Sequence, residues 1–90
     1  MPNVTIKVYT TLRERLGFSS IDINASNLKE AILKLSESEE IINILFEDKD
    51  RIKSYFVITI NSEIVDNSKI GRIKLSDGDI INIFPPVSGG

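Results

Sequence analysis

Ser76-Asp77-Gly78-Asp79-Ile80-Ile81-Asn82-Ile83-Phe84-Pro85-Pro86-Val87-Ser88-Gly89-Gly90 is the stretch from which the rest of the chain is best read. Ser76-Asp77-Gly78-Asp79 has turn composition, with Gly78 able to take the positive φ that other residues resist. Residues 80–84 then form a last strand. Pro85-Pro86 stops it, because neither residue can donate a ladder hydrogen bond and both hold φ near the polyproline value. The chain ends in an extended tail, able to reach at most ~20 Å from Pro85 at ~3.3–3.6 Å per residue. Its two terminal glycines lack side chains, so the carboxylate can enter a channel too narrow for anything bulkier. Two terminal glycines would arise by chance in about 0.5% of chains at average glycine usage, and the stiff Pro-Pro base makes a frayed end a poorer account still.

Working back towards the N-terminus, residues 55–61 give the strongest strand, with Phe56, Ile58 and Ile60 on one face. A short strand comes next around Glu63-Ile64-Val65, and Asn61-Ser62 and Asn67-Ser68 read as turns. Residues 67–75 read as an irregular connection. The run Glu47-Asp48-Lys49-Asp50-Arg51 reads as a solvated loop. Two helical segments precede it. Asn27 caps the first and can accept from the amide of Glu30, which can reach back as in a capping box. Leu28, Ala31, Ile32 and Leu35 fall on its inner face. Ser36 or Ser38 opens the second, with Ile41, Ile42, Leu45 and Phe46 apolar. At the start of the chain Val4, Ile6 and Val8 alternate with Thr5, Lys7 and Tyr9 as a half-buried strand. A short helical turn then ends at Gly17, and a strand runs through Ile21 and Ile23. The pattern is an α+β domain, a mixed sheet with helices packed on one face. Residues 1–84 are the domain and 85–90 its tail.

Composition narrows the function. Ninety residues make one domain with a modest core. A net charge of -2 argues against nucleic acid as the main partner, since phosphate binding needs a basic surface. No apolar run is long enough to cross a membrane and no signal peptide is recognisable, so a cytoplasmic location is expected. Cysteine and histidine are both absent, which excludes disulfides, thiolate or imidazole metal ligands, and Cys- or His-based catalysis. No metal and no cofactor is expected. The Asp77 and Asp79 carboxylates read as turn residues rather than an acid–base pair. A Ser-Lys or two-carboxylate site stays open in principle, though no spacing singles one out, and the group that the tail presents is the Gly90 carboxylate. Ionised and resonance-stabilised at neutral pH, it becomes an electrophile only once a leaving group such as AMP is attached. The chain carries no residues for that step, so it is expected to be a substrate of another enzyme rather than an enzyme.

Alternation gives one more candidate site. If Val4, Ile6, Val8, Ile81 and Ile83 pack on the helices, Tyr9 and Phe84 stand on the opposite, polar face. Adjacent first and last strands would bring them together as an apolar patch, the usual mark of a binding surface. Arg13, with Arg15, could steer an acidic partner or simply be solvated.

The ending 75–90, Leu12-Arg13-Glu14-Arg15-Leu16-Gly17 after the first strand, and Val57-Ile58-Thr59-Ile60-Asn61 resemble the MoaD-like small subunit of molybdopterin synthase, a ubiquitin-like sulfur carrier. The resemblance covers essentially the whole chain. The related thiamine sulfur carrier also ends in Gly-Gly but usually lacks the Pro-Pro pair. One departure is the stretch 66–74, longer than the family usually has. The resemblance implies a β-grasp fold with a five-stranded mixed sheet, its first and last strands parallel at the centre. It implies that an E1-like, MoeB-like enzyme adenylates Gly90 and that a sulfur donor converts it to a thiocarboxylate. It also implies that a MoaE-like large subunit, in a heterotetramer, accepts the tail Pro85-Pro86-Val87-Ser88-Gly89-Gly90 for molybdenum or tungsten cofactor synthesis. The partner-binding surface it implies is Tyr9, Ile64 and Phe84. Conjugation of Gly90 to lysines as a protein modifier, a thiamine-type carrier, and a non-covalent ubiquitin-like binding module with an incidental tail are the alternatives.

Overall fold

The structure is a computed structural model, and residues 1–86 are described. In chain order the elements are β1 (Asn3–Val8), α1 (Thr10–Leu16), β2 (Ser20–Asn24), α2 (Leu28–Leu35), α3 (Glu39–Leu45), β3 (Phe46–Asp48), β4 (Arg51–Ile52), β5 (Val57–Ile60), β6 (Glu63–Ile64), a 3-10 turn (Ile70–Arg72) and β7 (Ile80–Phe84). Five strands form one sheet in the order β2-β1-β7-β5-β6. β1 and β7 run parallel at its centre, with Ile6 opposite Ile81 and Val8 opposite Ile83, and the other pairings are antiparallel. This is the β-grasp arrangement.

Side-chain alternation sets which face is dry. Val4, Ile6, Val8, Ile58, Ile81 and Ile83 are all buried and share one core with Leu28, Ala31, Ile32 and Leu35 of α2 and Ile41 and Leu45 of α3. A one-residue slip of β7 would turn Ile81 and Ile83 to solvent, so the core itself fixes the register. Gly17 at φ 83 closes α1, its amide donating to the Arg13 carbonyl at 2.9 Å. Asn27 Oδ1 accepts from the Glu30 amide at 2.8 Å, as expected. Glu30 reaches back one residue further than a capping box does, its Oε1 accepting from the Ser26 amide at 2.7 Å. Ser38, not Ser36, caps α3. Ser36 is buried and donates its hydroxyl to the Ile32 carbonyl.

Two segments are more ordered than their composition implies. The charged run 47–51 is the tip of a β3–β4 hairpin rather than a loop. Phe46 and Ile52, its paired ends, are anchored in the core, and Asp48 Oδ1 accepts from the Asp50 amide at 2.9 Å to make the turn. Charge count alone misses this because the anchors lie just outside the charged run. The connection 67–75 is irregular, as expected, yet carries fully buried Ile70. It is fastened to the start of α2 by Leu28 N–H to the Ile73 carbonyl and Leu75 N–H to the Ser26 carbonyl. Asn67 adds two side-chain bonds, to the Lys53 and Phe56 carbonyls. β5 begins at Val57, so Tyr55 lies outside the strand and is exposed.

Candidate functional site

The parallel β1–β7 pair brings the two ends of the chain together. Val8 lies opposite Ile83, so the residues that follow them, Tyr9 and Phe84, fall side by side on the face away from the helices. Their rings stack, centroids 4.7 Å apart and planes inclined by 14°. The Tyr9 hydroxyl donates to Asn82 Oδ1 at 2.6 Å, and Asn82 Nδ2 donates to Thr59 Oγ1 at 3.3 Å. A polar ladder therefore crosses from the end of β1 through β7 to β5.

Ile64 pairs with Thr59 and so stands on the same open face, 77% exposed, at the β6 edge. It shares that face with Phe84 but is two strands away from it. Val57 and Ile80, opposite Phe84 and Thr5 respectively, are also exposed and extend the patch beyond the residues expected from sequence. Their strand positions carry the signal: Val57 is out of phase with buried Phe56 and Ile58, and Ile80 with buried Ile81. Together these side chains put exposed apolar groups around the Asn82–Thr59 pair on the β7–β5–β6 side of the open face, whereas Thr5 and Asp22 meet by a 2.7 Å hydrogen bond on its β1–β2 side. Arg13 is exposed on α1. Its backbone is bonded to Tyr9 and Gly17, which places it one helical turn beyond the aromatic pair rather than within it.

Phe84 leads directly to Pro85, half-buried, and Pro86, exposed. These two prolines form one wall of a groove on the helix side of the sheet, with Leu12, Arg15, Phe56 and Tyr55 among the others. Arg15 there is held by Glu40 at 2.6 Å. The root of the tail thus sits between an apolar sheet face and this groove. Val87, Ser88, Gly89 and Gly90 lie outside the described residues.

The Asp77 and Asp79 carboxylates are occupied by structure. Asp77 Oδ1 accepts from the Asn3 amide at 2.6 Å, and Asp79 accepts from Asn61 Nδ2 and the Ser76 amide. The Asp50 carboxyl is held below its ordinary range, chiefly by its hydrogen bond with Lys29, and the Asp66 carboxyl chiefly by that with the Ser68 hydroxyl. Among the described residues no cluster of three or more Asp or Glu side chains could hold a metal ion. No helix there is long and apolar enough to cross a membrane.

Comparisons with known proteins place this geometry. The model of the ThiS family matches residues 6–90. No curated protein matches significantly. Among solved structures, the chain is similar to small archaeal modifier protein 1 from Methanosarcina acetivorans, at 26% identity over 100% of this chain and 98% of that one, TM-score 0.78. It is similar to CysO from Mycobacterium tuberculosis, at 26% identity over 93% and 99% of the two chains, TM-score 0.78. It is also similar, at 27% identity over 98% and 99%, TM-score 0.64, to a chain in the complex of subunits 1 and 2 of the molybdopterin-converting factor from Helicobacter pylori.

Proposed function

We propose, on the premise that this chain belongs to the ThiS family of ubiquitin-like sulfur carriers, that it carries sulfur as a thiocarboxylate at Gly90 for molybdenum or tungsten cofactor synthesis. The observation that carries the reading is the reach of the family match, from residue 6 to residue 90, so that the diglycine falls inside it. The Pro85-Pro86 stop and the likeness to the molybdopterin-converting factor complex favour the pterin pathway over a thiamine-type role.

On this reading residues 1–84 are the domain that a partner recognises and 85–90 the segment it consumes. ATP and an E1-like, MoeB-like enzyme convert the Gly90 carboxylate to an acyl adenylate, releasing pyrophosphate. A sulfide-equivalent donor attacks the carbonyl carbon, the bond to AMP breaks, and a thiocarboxylate remains. In the cytoplasm a MoaE-like large subunit, paired with this chain in a heterotetramer, then accepts the tail. The thiocarboxylate sulfur bonds to the pterin precursor, displacing an oxygen leaving group, and water hydrolyses the acyl–sulfur bond, leaving sulfur on the pterin and returning the plain carboxylate. Tyr9, Phe84 and Ile64 on the open face supply recognition, with Arg13 nearby as an electrostatic contact. Phe84 is joined to the tail through Pro85, so a partner that grips Pro86 onward is brought against it.

A second reading, a protein modifier, is favoured by the likeness to small archaeal modifier protein 1 over the whole chain. There a lysine amine would displace AMP and leave an isopeptide bond. Intact-mass measurement of the protein from its native cell separates the two. One oxygen replaced by sulfur at Gly90 supports the carrier. Lysines of other proteins that carry the residue 75–90 branch after tryptic digestion, cut after Lys74, support the modifier. Finding neither, or finding that one residue appended after Gly90 changes nothing in the cell, removes both.

A further inference from the structure

We infer that Asn82 is a positioning residue for partner recognition, holding Tyr9 flat on Phe84 so that a two-ring platform is preformed at the root of the tail. The inference rests on the carrier reading for the identity of the partner, the E1-like enzyme that takes the tail. Its geometry stands apart from that reading.

Tyr9 has no strand partner to fix it. It comes just after the last residue of β1 and serves as the N-cap of α1, extended at φ -135 and ψ 156, without a side-chain cap bond. The next residue, Thr10, has φ 48, a left-handed conformation that a β-branched side chain rarely adopts. The chain therefore turns sharply at the residue after Tyr9, and such a conformation persists only where the surroundings over-determine it. The backbone is held there by the Val8 amide on the Ser19 carbonyl and the Arg13 amide on the Tyr9 carbonyl, while the Tyr9 side chain is held by the aromatic stack and by its hydroxyl bond to Asn82.

Asn82 is well suited to the task. It lies on β7, flanked by β1 and β5, with Lys7 and Thr59 as its register partners. Its Nδ2 is engaged by Thr59, so its carbonyl oxygen is oriented towards the tyrosine. Two residues further along the same strand face comes Phe84 itself. One amide thus sets the position of Tyr9 relative to a ring on its own strand. A platform already assembled in the free protein spares a partner the cost of ordering two aromatic side chains, and that raises affinity without any new contact.

The test is Asn82→Leu and Tyr9→Phe, with Asn82→Asp as the conservative variant, since a carboxylate can still accept from the tyrosine and from the Thr59 hydroxyl. NMR reads the mutual ring-current shifts of residues 9 and 84 in the free protein. Calorimetry reads binding to the purified E1-like adenylyltransferase of the same organism. Asn82→Leu and Tyr9→Phe are expected to lose much of the ring-current shift and to weaken binding about fivefold, while Asn82→Asp retains both. Unaltered ring shifts in Asn82→Leu would overturn the positioning role. Lost shifts with unaltered affinity would overturn its part in recognition. A wild-type chain that fails to bind the enzyme removes the carrier reading itself, and with it that part, which distinguishes the two failures.

Discussion

Tyr9 and Phe84, from opposite ends of the chain, stack at 4.7 Å because β1 and β7 run parallel and in register. Phe84 is still 37% exposed in this stack. A large ring that is half-used internally and half-offered to solvent, next to the tail root, is suited to hot-spot recognition.

Phe84→Ala is therefore expected to separate binding from folding. Affinity for the activating enzyme or the large subunit should fall by ~1–2 kcal/mol or more. The folded state loses only the pairing, about 0.5–1.5 kcal/mol for an aromatic contact. Titration calorimetry and urea unfolding measure the two. Affinity of the variant unchanged from wild type for both partners would remove the patch from the recognition surface.

The turn of the β5–β6 hairpin offers a test of stability. Asn61 and Ser62 have φ 50 and 76, the two left-handed positions of a two-residue type I′ turn. Asparagine tolerates this and uses its side chain as well, accepting from the Ile80 amide at 2.9 Å. Serine is less suited to the second position. Ser62→Gly should stabilise the protein by about 0.5 kcal/mol, the relief at positive φ outweighing the added freedom of the unfolded chain. A lower urea midpoint for the variant would contradict this account of the turn.

Much of this is legible in the sequence. The alternation of Val4, Ile6 and Val8 and of Ile81 and Ile83 identifies the inner face, and the odd-numbered Tyr9 then has to share the outer face with the neighbouring strand's Phe84. Periodicity is a local signal, however, and says nothing of what distant residues anchor. The 47–51 hairpin reads as a loop because its five residues are polar and its holdfasts, Phe46 and Ile52, lie outside them. Val57 and Ile80 do not stand out as surface residues because they sit at strand starts beside buried neighbours, and only the sheet order shows that they share a face with Phe84.

Ile70 is the clearest case of a core residue without a local pattern. It lies in a 3-10 turn within an otherwise irregular segment and is completely buried. Ile70→Ala should cost ~2–4 kcal/mol, a loss typical of an enclosed aliphatic side chain whose site cannot collapse. The segment is hydrogen-bonded to residues at the start of α2, so hydrogen exchange at Leu28 and Leu75 should accelerate along with the fall in stability. A change below about 1 kcal/mol would mean that this segment is not an integral part of the core.

The Lys29–Asp50 pair, 2.6 Å apart, joins α2 to the tip of the β3–β4 hairpin. Its hydrogen bond is the leading cause that holds the Asp50 carboxyl below the ordinary 3.8. A carboxyl depressed in the folded state adds stability above its unfolded pKa, and that contribution disappears as pH falls through the folded value. Lys29→Met should let the Asp50 carboxyl, followed by NMR, rise towards 3.8. The electrostatic part of any stability gap between wild type and variant should be present at neutral pH, close on acidification, and shrink with added salt, because Asp50 is exposed. An Asp50 titration unmoved by the substitution would show that the pair does not form in solution, leaving the Asx turn at Asp48 and the buried ends Phe46 and Ile52 to hold the hairpin alone.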